Sequence, residues 1–433
     1  MCDTFGAFIA LDLDSLKLVA SRIGNDKINA QVNLASKLLD RKVLQEEKAT
    51  GKVRIINVRS GVADAVGLIS QSSLQLPGQT GDSIGSGDAP TQLYAQPSLL
   101  AGQARIPYLS AKTVVKAADA VDLVMAELES VASSLGQYLG RALLNPILST
   151  NSASLDLNSA TTVTVYDRHA FRVGQLVDMF AASSGAPTGS RILIGKITNV
   201  AATSGIAGTL TFSVPSVIEQ ASNTRPASST TAADGLCLVL HNSYGTSASA
   251  TKQLFSISDA AGTSTSGLYG QTVSGADWAG NSSGSAAAIT PGRLRDFMDV
   301  CKQRSGDRVH FIVMSQLQFA EFHEAVLANS SGAAVRMFAK GDEDMFGDVQ
   351  DADLPFYGAK VISDSNCPNA EVYVLNKDHV KLGVWQPISH MNDEQKVEAT
   401  ETKAEYLFKM AGMQQLIVDR RNGLGVFAAS APS

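Results

Sequence analysis

A chain of 433 residues, 44% hydrophobic and with a formal net charge of −6, can bury one large core or two to three smaller ones. No run of about 18 apolar residues exists, which excludes a membrane-spanning helix. No lysine or arginine cluster exists either, which argues against tight sequence-independent nucleic-acid binding.

Met1-Cys2-Asp3 opens without a basic n-region, so no secretory signal is expected. The four cysteines, Cys2, Cys237, Cys301 and Cys367, lie far apart without CxxC pairing. They fit reduced thiols of a cytoplasmic product better than a disulfide frame or zinc site. Residues 1–50 read as two helical pieces. Phe5, Phe8, Ile9, Leu11 and Leu13 lead into Leu16–Ile23, and Asn29–Val43 carries Val32, Leu34, Leu38 and Leu39. The next stretch, to residue 109, opens with the strand-like run Val53–Val58. It passes through the Gly/Ser/Asp-rich Pro77–Pro90 and returns extended over Tyr94–Tyr108. A loop this long is uncommon inside one compact domain, so it is expected to pack on something outside its own fold. An ordinary hairpin with a disordered tip is the alternative.

From Val114, the residues Ala118, Val121, Met125, Leu128, Ala132, Leu135, Leu139 and Ala142 recur at steps of four and three, one apolar stripe on a helix. Ser110 is the expected N-cap. Asp119, Asp122, Glu127 and Glu129 lie off the stripe, and Pro146 ends the run. About 35 residues at roughly 1.5 Å each make a rod of about 50 Å, long for a globular domain. A coiled-coil segment or a long bundle helix fits this spacing. Gly136, Gly140 and the small Ala and Ser residues argue against a dimeric zipper, which wants large side chains at every core position.

Residues 157–245 are rich in Thr, Val, Ser and Gly, with strands expected at Thr161–Tyr166, Leu176–Phe180, Ile192–Val200 and Thr209–Val214. That spacing suggests a small β-barrel or sandwich. Residues 246–290 are Ser/Gly/Ala-rich, interrupted by Leu268-Tyr269-Gly270 and Asp277-Trp278-Ala279-Gly280. Thr290-Pro291 then starts a helix with a cap and an N1 proline. A buried strand Val309–Met314 and a helix Ser315–Leu327 follow. In Asp353–Trp385, Leu354-Pro355-Phe356-Tyr357-Gly358 is a bent apolar element and Ala359–Ile362 a brief strand. Asn366, Pro368 and Asn369 form a turn, and Val372, Val374 and Leu375 restart the apolar run. The last segment, Tyr406–Phe427, contains Met413–Val418 and Asp419-Arg420-Arg421-Asn422-Gly423.

Leu354, Gly358, Val361, Asp364, Pro368, Tyr373 and Asn376 follow the pattern L-x-G-x-x-V…D…P…Y-x-x-N. This resembles the axial-domain fold-back of HK97-like major capsid proteins of tailed double-stranded DNA bacteriophages. The order of elements outside residues 157–245 resembles that family too. The resemblance implies an α+β HK97-like capsid fold. It assigns 1–54 to an N-arm, 55–109 to an E-loop and 110–156 to a peripheral domain with its spine helix. Residues 157–245 become a β-rich insertion domain, 246–400 the axial domain and its connection, and 401–433 the return strands of the peripheral domain. It implies a virion protein made in the host cytoplasm, forming hexamers and pentamers of an icosahedral shell, with scaffolding, portal and cement proteins as partners. The shell would enclose double-stranded DNA without sequence-specific binding, and its mildly acidic lining would suit DNA that must later leave. Neither cofactor nor membrane is implied. Some members cross-link subunits through an E-loop lysine, but no lysine lies between Lys52 and Lys112, so covalent chainmail by that route is expected to be absent. The start at Met1 suggests that no N-terminal scaffold segment is removed.

Enzyme motifs are weaker. Gly280-Asn281-Ser282-Ser283-Gly284 matches the G-x-S-x-G elbow, but SGADWA and SAAA around it supply neither the strand nor the helix that an elbow needs. Ser249-Ala250-Thr251-Lys252 matches S-x-x-K in similar low-complexity sequence. The histidines His169, His241, His310, His323, His379 and His390 are scattered, with no HExxH. Glu321 and Glu324 beside His323 read as a solvated helix face, and Gly341-Asp342-Glu343-Asp344 as an exposed acidic loop without the alternating ligands of a calcium site. No catalytic, cofactor or metal residue is assigned. An encapsulin-type compartment shell is the alternative within the shell class, and a serine hydrolase using Ser282 the alternative outside it.

Overall fold

The apolar stripe folds as its spacing dictates. In the computed structural model Ala117–Leu144 is one helix of 28 residues (α3), about 42 Å long at roughly 1.5 Å per residue. Leu128, Ala132, Leu135, Leu139 and Ala142 are buried along it, while Glu127 and Glu129 face solvent. The structure describes residues 25–58, 91–107, 117–151, 162–183, 186–213, 236–244, 253–262, 268–269, 278–329, 354–390, 398–399 and 405–430. The expected first helical piece, the Ser110 cap and the Pro77–Pro90 tip lie outside them. At the helix's far end Asn145 accepts the Ile147 N–H on Oδ1 at 3.0 Å, and Pro146 stops propagation.

The chain divides into two compact units. The first comprises Met1–Lys52, Pro97–Gly140 and Leu382–Gln415. It holds α1 (Asn25–Leu34), α2 (Lys37–Asp40), most of α3 and a five-stranded sheet. The sheet orders β1 (Gln45–Lys48), β16 (Val380–His390), β18 (Glu405–Val418) and β17 (Glu398–Ala399), with β4 (Ser98–Pro107) also paired to β18. The β4–β18 ladder is antiparallel over ten rungs, Pro107 against Glu405 through Ser98 against Gln414. Two glycines set the packing. A Cβ on Gly136 would lie 2.3 Å from the Val32 carbonyl oxygen, so α1 can cross α3 only there, and one on Gly102 would lie 2.9 Å from Leu135 Cδ1. The strand β1 was not expected from a sequence that reads as helix up to Val43.

The second unit comprises Val53–Gln96, Arg141–Lys381 and Leu416–Ser433. Its first part is an antiparallel hairpin of β2 (Arg54–Val58) and β3 (Thr91–Ala95). Next comes a six-stranded sheet in the order β5 (Ile147–Asn151), β10 (Leu236–Leu240), β7 (Leu176–Ser183), β8 (Ala186–Ser204), β9 (Ala207–Phe212), β6 (Thr162–Val165). The strands fall where the Thr/Val alternation puts them. The 19-residue β8 joins the two halves of this path, pairing with β7 through Lys196 and with β9 from Ile197 onward. The hydrogen-bonded path runs from β5 to β6 without closing among the described residues.

The other six-stranded sheet of this unit orders β11 (Asn281–Ser282), β19 (Gly425–Ala428), β15 (Glu371–Leu375), β12 (Phe311–Met314), β14 (Ala359–Ser363) and β13 (Leu354–Phe356). Helices α5 (Pro291–Ser305) and α6 (Gln316–Asn329) contribute Leu294, Phe297, Phe319 and Phe322 to its core. Thr290 accepts the Arg293 N–H and Pro291 sits in the first turn, as the sequence signals. The β13–β14 turn needs positive φ at Tyr357 (50°) and Gly358 (84°), the pairing of a tight hairpin. Three outcomes depart from expectation. A short helix α4 (Ile257–Ala261) forms inside the Ser/Gly/Ala-rich stretch, closed by a capping box of Ser256 and Asp259. The strand β16, expected with the axial segment, joins the sheet of β18 and β4. The end of the chain, expected to return wholly to the helix-bearing part, places β19 against β15, where Phe427 packs edge-on to Phe297.

Candidate functional site

The G-x-S-x-G match is a structural clamp. Asn281 is buried and donates Nδ2–H to the carbonyls of Asn422 (2.7 Å) and Leu424 (2.8 Å), while its Oδ1 accepts from Arg304 Nη1 at 2.7 Å. Gly280 is obligatory, since a Cβ there would lie 2.3 Å from the Ala261 carbonyl oxygen. Ser282 is exposed in the two-residue β11, and its Oγ accepts the Gly284 N–H at 3.2 Å. Ser283 Oγ accepts the Ala428 N–H at 2.8 Å. An elbow needs a helix straight after its serine, and α5 begins only at Pro291. The geometry around Ser282 is not that of a nucleophile elbow. Ser249–Lys252 and Gly341–Asp344 lie outside the described residues. Among the described residues no three His, Cys, Asp or Glu side chains converge as metal ligands. On α6, His323 and Glu321 are half-buried and Glu324 is exposed.

Three buried polar centres carry architecture instead. In the sheet of β5–β10, Asp178 is fully buried between Val177 and Met179. Its Oδ2 accepts from Arg191 Nη1 at 3.2 Å and the Asn242 N–H at 2.7 Å, and its Oδ1 lies 2.7 Å from His241 Nδ1. Asn242 holds a φ of 62° there. A buried carboxylate tolerates such a place only when paired and fully hydrogen-bonded.

The second centre lies around residues 364–373. Asp364 is buried and its Oδ1 accepts the Asn366 N–H at 2.8 Å. Arg141 donates to the carbonyls of Asn366 (2.8 Å) and Ile147 (3.2 Å), and Asn145 donates to both Glu371 oxygens at 3.2 Å. Tyr373 donates its hydroxyl to Glu371 Oε2. Asn369 Nδ2 donates to Asp167 Oδ2 at 2.8 Å and its carbonyl accepts from Gln318. Asp364, Tyr373 and their neighbours thus tie together the end of α3, the start of β5, the Asp167 turn and α6. Burial, and then the Glu371 charge, push the Tyr373 hydroxyl well above its ordinary pKa; burial does the same to the Cys367 thiol.

Arg421 makes the third centre. Its guanidinium donates to the carbonyls of Ala260 (2.7 Å), Asp259 (2.9 Å) and Gly262 (2.9 Å) and lies 5.8 Å from the Trp278 ring centroid. Sequence reading named Asp364, Asn366, Asn369 and Tyr373 of the second centre as pattern and turn residues, without their buried contacts, and placed neither of the other two centres. A lone Asp178 inside Leu176–Phe180 was the available signal.

Several large apolar side chains are exposed among the described residues. Ile55 and Tyr94 are direct partners on the β2–β3 ladder, and both are exposed, at 50% and 43%. Leu99 and Met413 are direct partners on the β4–β18 ladder, exposed at 61% and 37%. An apolar cleft of about 300 Å³ lies between α1 and α3, lined by Ile28, Ala30, Gln31, Met125, Leu128, Glu129 and Ala132. Single exposed apolar residues are ordinary, but cross-strand pairs offer a continuous patch.

No protein-family model matches the sequence, and no curated protein matches it. Among solved structures, the chain is similar to the capsid asymmetric unit of cyanophage A-1(L), at 13% identity over 99% of this chain and 95% of that one, with a TM-score of 0.44. It is similar to a virus-like particle protein from Pyrococcus furiosus at 7% identity over 93% and 96%, with a TM-score of 0.38. It is also similar to the SrpI encapsulin of Synechococcus elongatus PCC 7942 at 8% identity over 92% and 88%, with a TM-score of 0.39.

Proposed function

We propose that this chain is a major capsid protein with an HK97-like fold and a β-rich insertion, assembling into hexamers and pentamers of an icosahedral shell around double-stranded DNA. One observation carries the reading: the succession of elements. A helical N-terminal segment, a hairpin arm, a 28-residue helix, a separate six-stranded sheet and a mixed sheet with two helices follow one another in the order that the resemblance to the capsid family implies. In this reading residues 1–54 form the N-arm, 55–109 the E-loop, 110–156 the spine segment, 157–245 the insertion, and 246–400 the axial domain and its connection. The exposed pairs Ile55–Tyr94 and Leu99–Met413 become surfaces that neighbouring subunits cover. With no lysine between Lys52 and Lys112, the shell holds together without a covalent bond from the arm. Location in the virion follows, with synthesis in a host cytoplasm and scaffolding, portal and cement proteins as the partners to look for.

The test is to express the chain alone and observe it by negative-stain electron microscopy beside analytical ultracentrifugation. Closed shells or capsomer rings support the proposal. Co-purification of one enclosed cargo protein would favour the compartment alternative. A monomer that stays monomeric at high concentration and with a scaffolding partner would overturn both.

A further inference from the structure

We propose that Asp307 is an ionic latch that pins together the roots of β16 and β18, the two strands that continue from the second unit into the first. Asp307 follows α5 directly after Gly306, whose φ of 75° closes the helix. A carboxylate beside a helix C-terminus meets the negative end of the dipole and needs compensation. An imidazole and a guanidinium supply it through one oxygen. His379 Nε2, on the turn before β16, and Arg420 Nη1, on the turn after β18, each lie 3.0 Å from Asp307 Oδ2. The Asp419 N–H donates to the His379 carbonyl at 3.0 Å, so the two turns also meet through the backbone. A Cβ on Gly423 would lie 3.5 Å from His379 Cδ2, and Asn422 donates to the Arg304 carbonyl at the end of α5.

Other charged groups stand near the latch. Arg308 Nε donates to His310 Nε2 at 3.1 Å, and His310 Nε2 lies 3.7 Å from Asp378 Oδ2; Lys377 and Asp419 complete the set. The His379 hydrogen bond holds the Asp307 carboxyl below its usual range, against a smaller effect of burial, with the charges of His379 and Arg420 adding to it. The latch is 41% exposed at Asp307 and 46% at Arg420, so it is weak enough to open locally without unfolding the sheet behind it. For its consequence in a shell, where such a root would let one chain take several conformations, this inference rests on the capsid reading above.

The experiment is hydrogen–deuterium exchange on the unassembled chain, which reads the latch whether or not shells form. In Asp307→Ala, amides of residues 376–381 and 416–421 are expected to exchange about fivefold faster, while 312–314 and 372–375 keep their protection. Asp307→Asn, which keeps one acceptor oxygen, should fall between. Unchanged exchange in both turns would overturn the latch, as would a uniform rise across the whole sheet. Should either variant fail to fold, the wild-type chain in about 1 M salt, where the Debye length is near 3 Å, must show the same local rise.

Discussion

Ile55 stands directly opposite Tyr94 across the β2–β3 ladder with both side chains in solvent, while the next rung, Ile56 against Leu93, is buried. The hairpin therefore has one face already covered and one still open, where the Ile55–Tyr94 pair sits beside the polar pair Asn57–Gln92. Replacing Ile55 with Asp and Tyr94 with Ser removes that patch without touching a buried contact. Stability of the isolated chain should change by no more than about 0.5 kcal/mol, as for surface substitutions generally. Assembly should be lost, read as a shift from large particles to free subunits in sedimentation velocity. Shells of normal yield from the double variant would sink the role given to this face.

Gly136→Ala sets helix propensity against packing. Alanine is better in a helix interior by about 1 kcal/mol. Its Cβ, however, would sit 2.3 Å from the Val32 carbonyl oxygen and 2.7 Å from Ala35 Cβ, and backbone cannot swing aside as a side chain can. Overpacking should dominate, with a net loss of about 1–3 kcal/mol in urea denaturation. Ser134→Ala, one turn portion away on the exposed face, serves as the control and should be neutral or slightly stabilising.

Asp178→Ala leaves Arg191 buried without its carboxylate and strands the Asn242 N–H. The expected cost is about 3–5 kcal/mol, the usual penalty for breaking a buried ion pair from one side. Converting both members to apolar residues, Asp178→Val with Arg191→Leu, should recover much of that loss, since no uncompensated charge remains. Denaturation midpoints of the two variants decide the matter. Equal midpoints would show that the carboxylate has other work than balancing Arg191.

The parts of this fold legible in the sequence were those written in a short period. The α3 stripe repeats every three to four residues, and the strands β6 to β9 alternate every two, so each declares itself locally. Thr290-Pro291 likewise fixes a helix start by backbone chemistry alone, and the proline and glycine of Leu354–Gly358 announce a bend, though not the hairpin that forms there. What stayed hidden depends on distant partners. The four polar strand residues Gln45–Lys48 become β1 only because β16 is there to pair with them. The Ser/Gly/Ala-rich stretch gives a helix because Ser256 and Asp259 cap it and Arg421, about 160 positions on, takes up its last carbonyls. Polar centres such as Asp178–His241 join residues 63 positions apart, a relationship no window can contain.

The thiols give a prediction that acts through pH. Burial pushes Cys301 up to about 12 from an ordinary value near 9, and it lifts Cys367 well above that value; Cys237 is fully buried. The thiolate is the reactive species, so at pH 8 these three should be silent toward a disulfide reagent in the native chain and react at once in denaturant. A Cys2→Ser background removes the remaining thiol from the count. Linkage runs in the same direction. A folded-state pKa above the unfolded one means the native state keeps its proton while the unfolded chain loses it. Stability from Cys301 is therefore intact below about pH 9 and declines as pH rises from there toward about 12. The slope from this one group is at most about 1.4 kcal/mol per pH unit. Cys301→Ala, which has nothing to titrate, should flatten the alkaline limb of the stability curve even if it lowers the curve as a whole. An unchanged slope in that variant would remove Cys301 as its source.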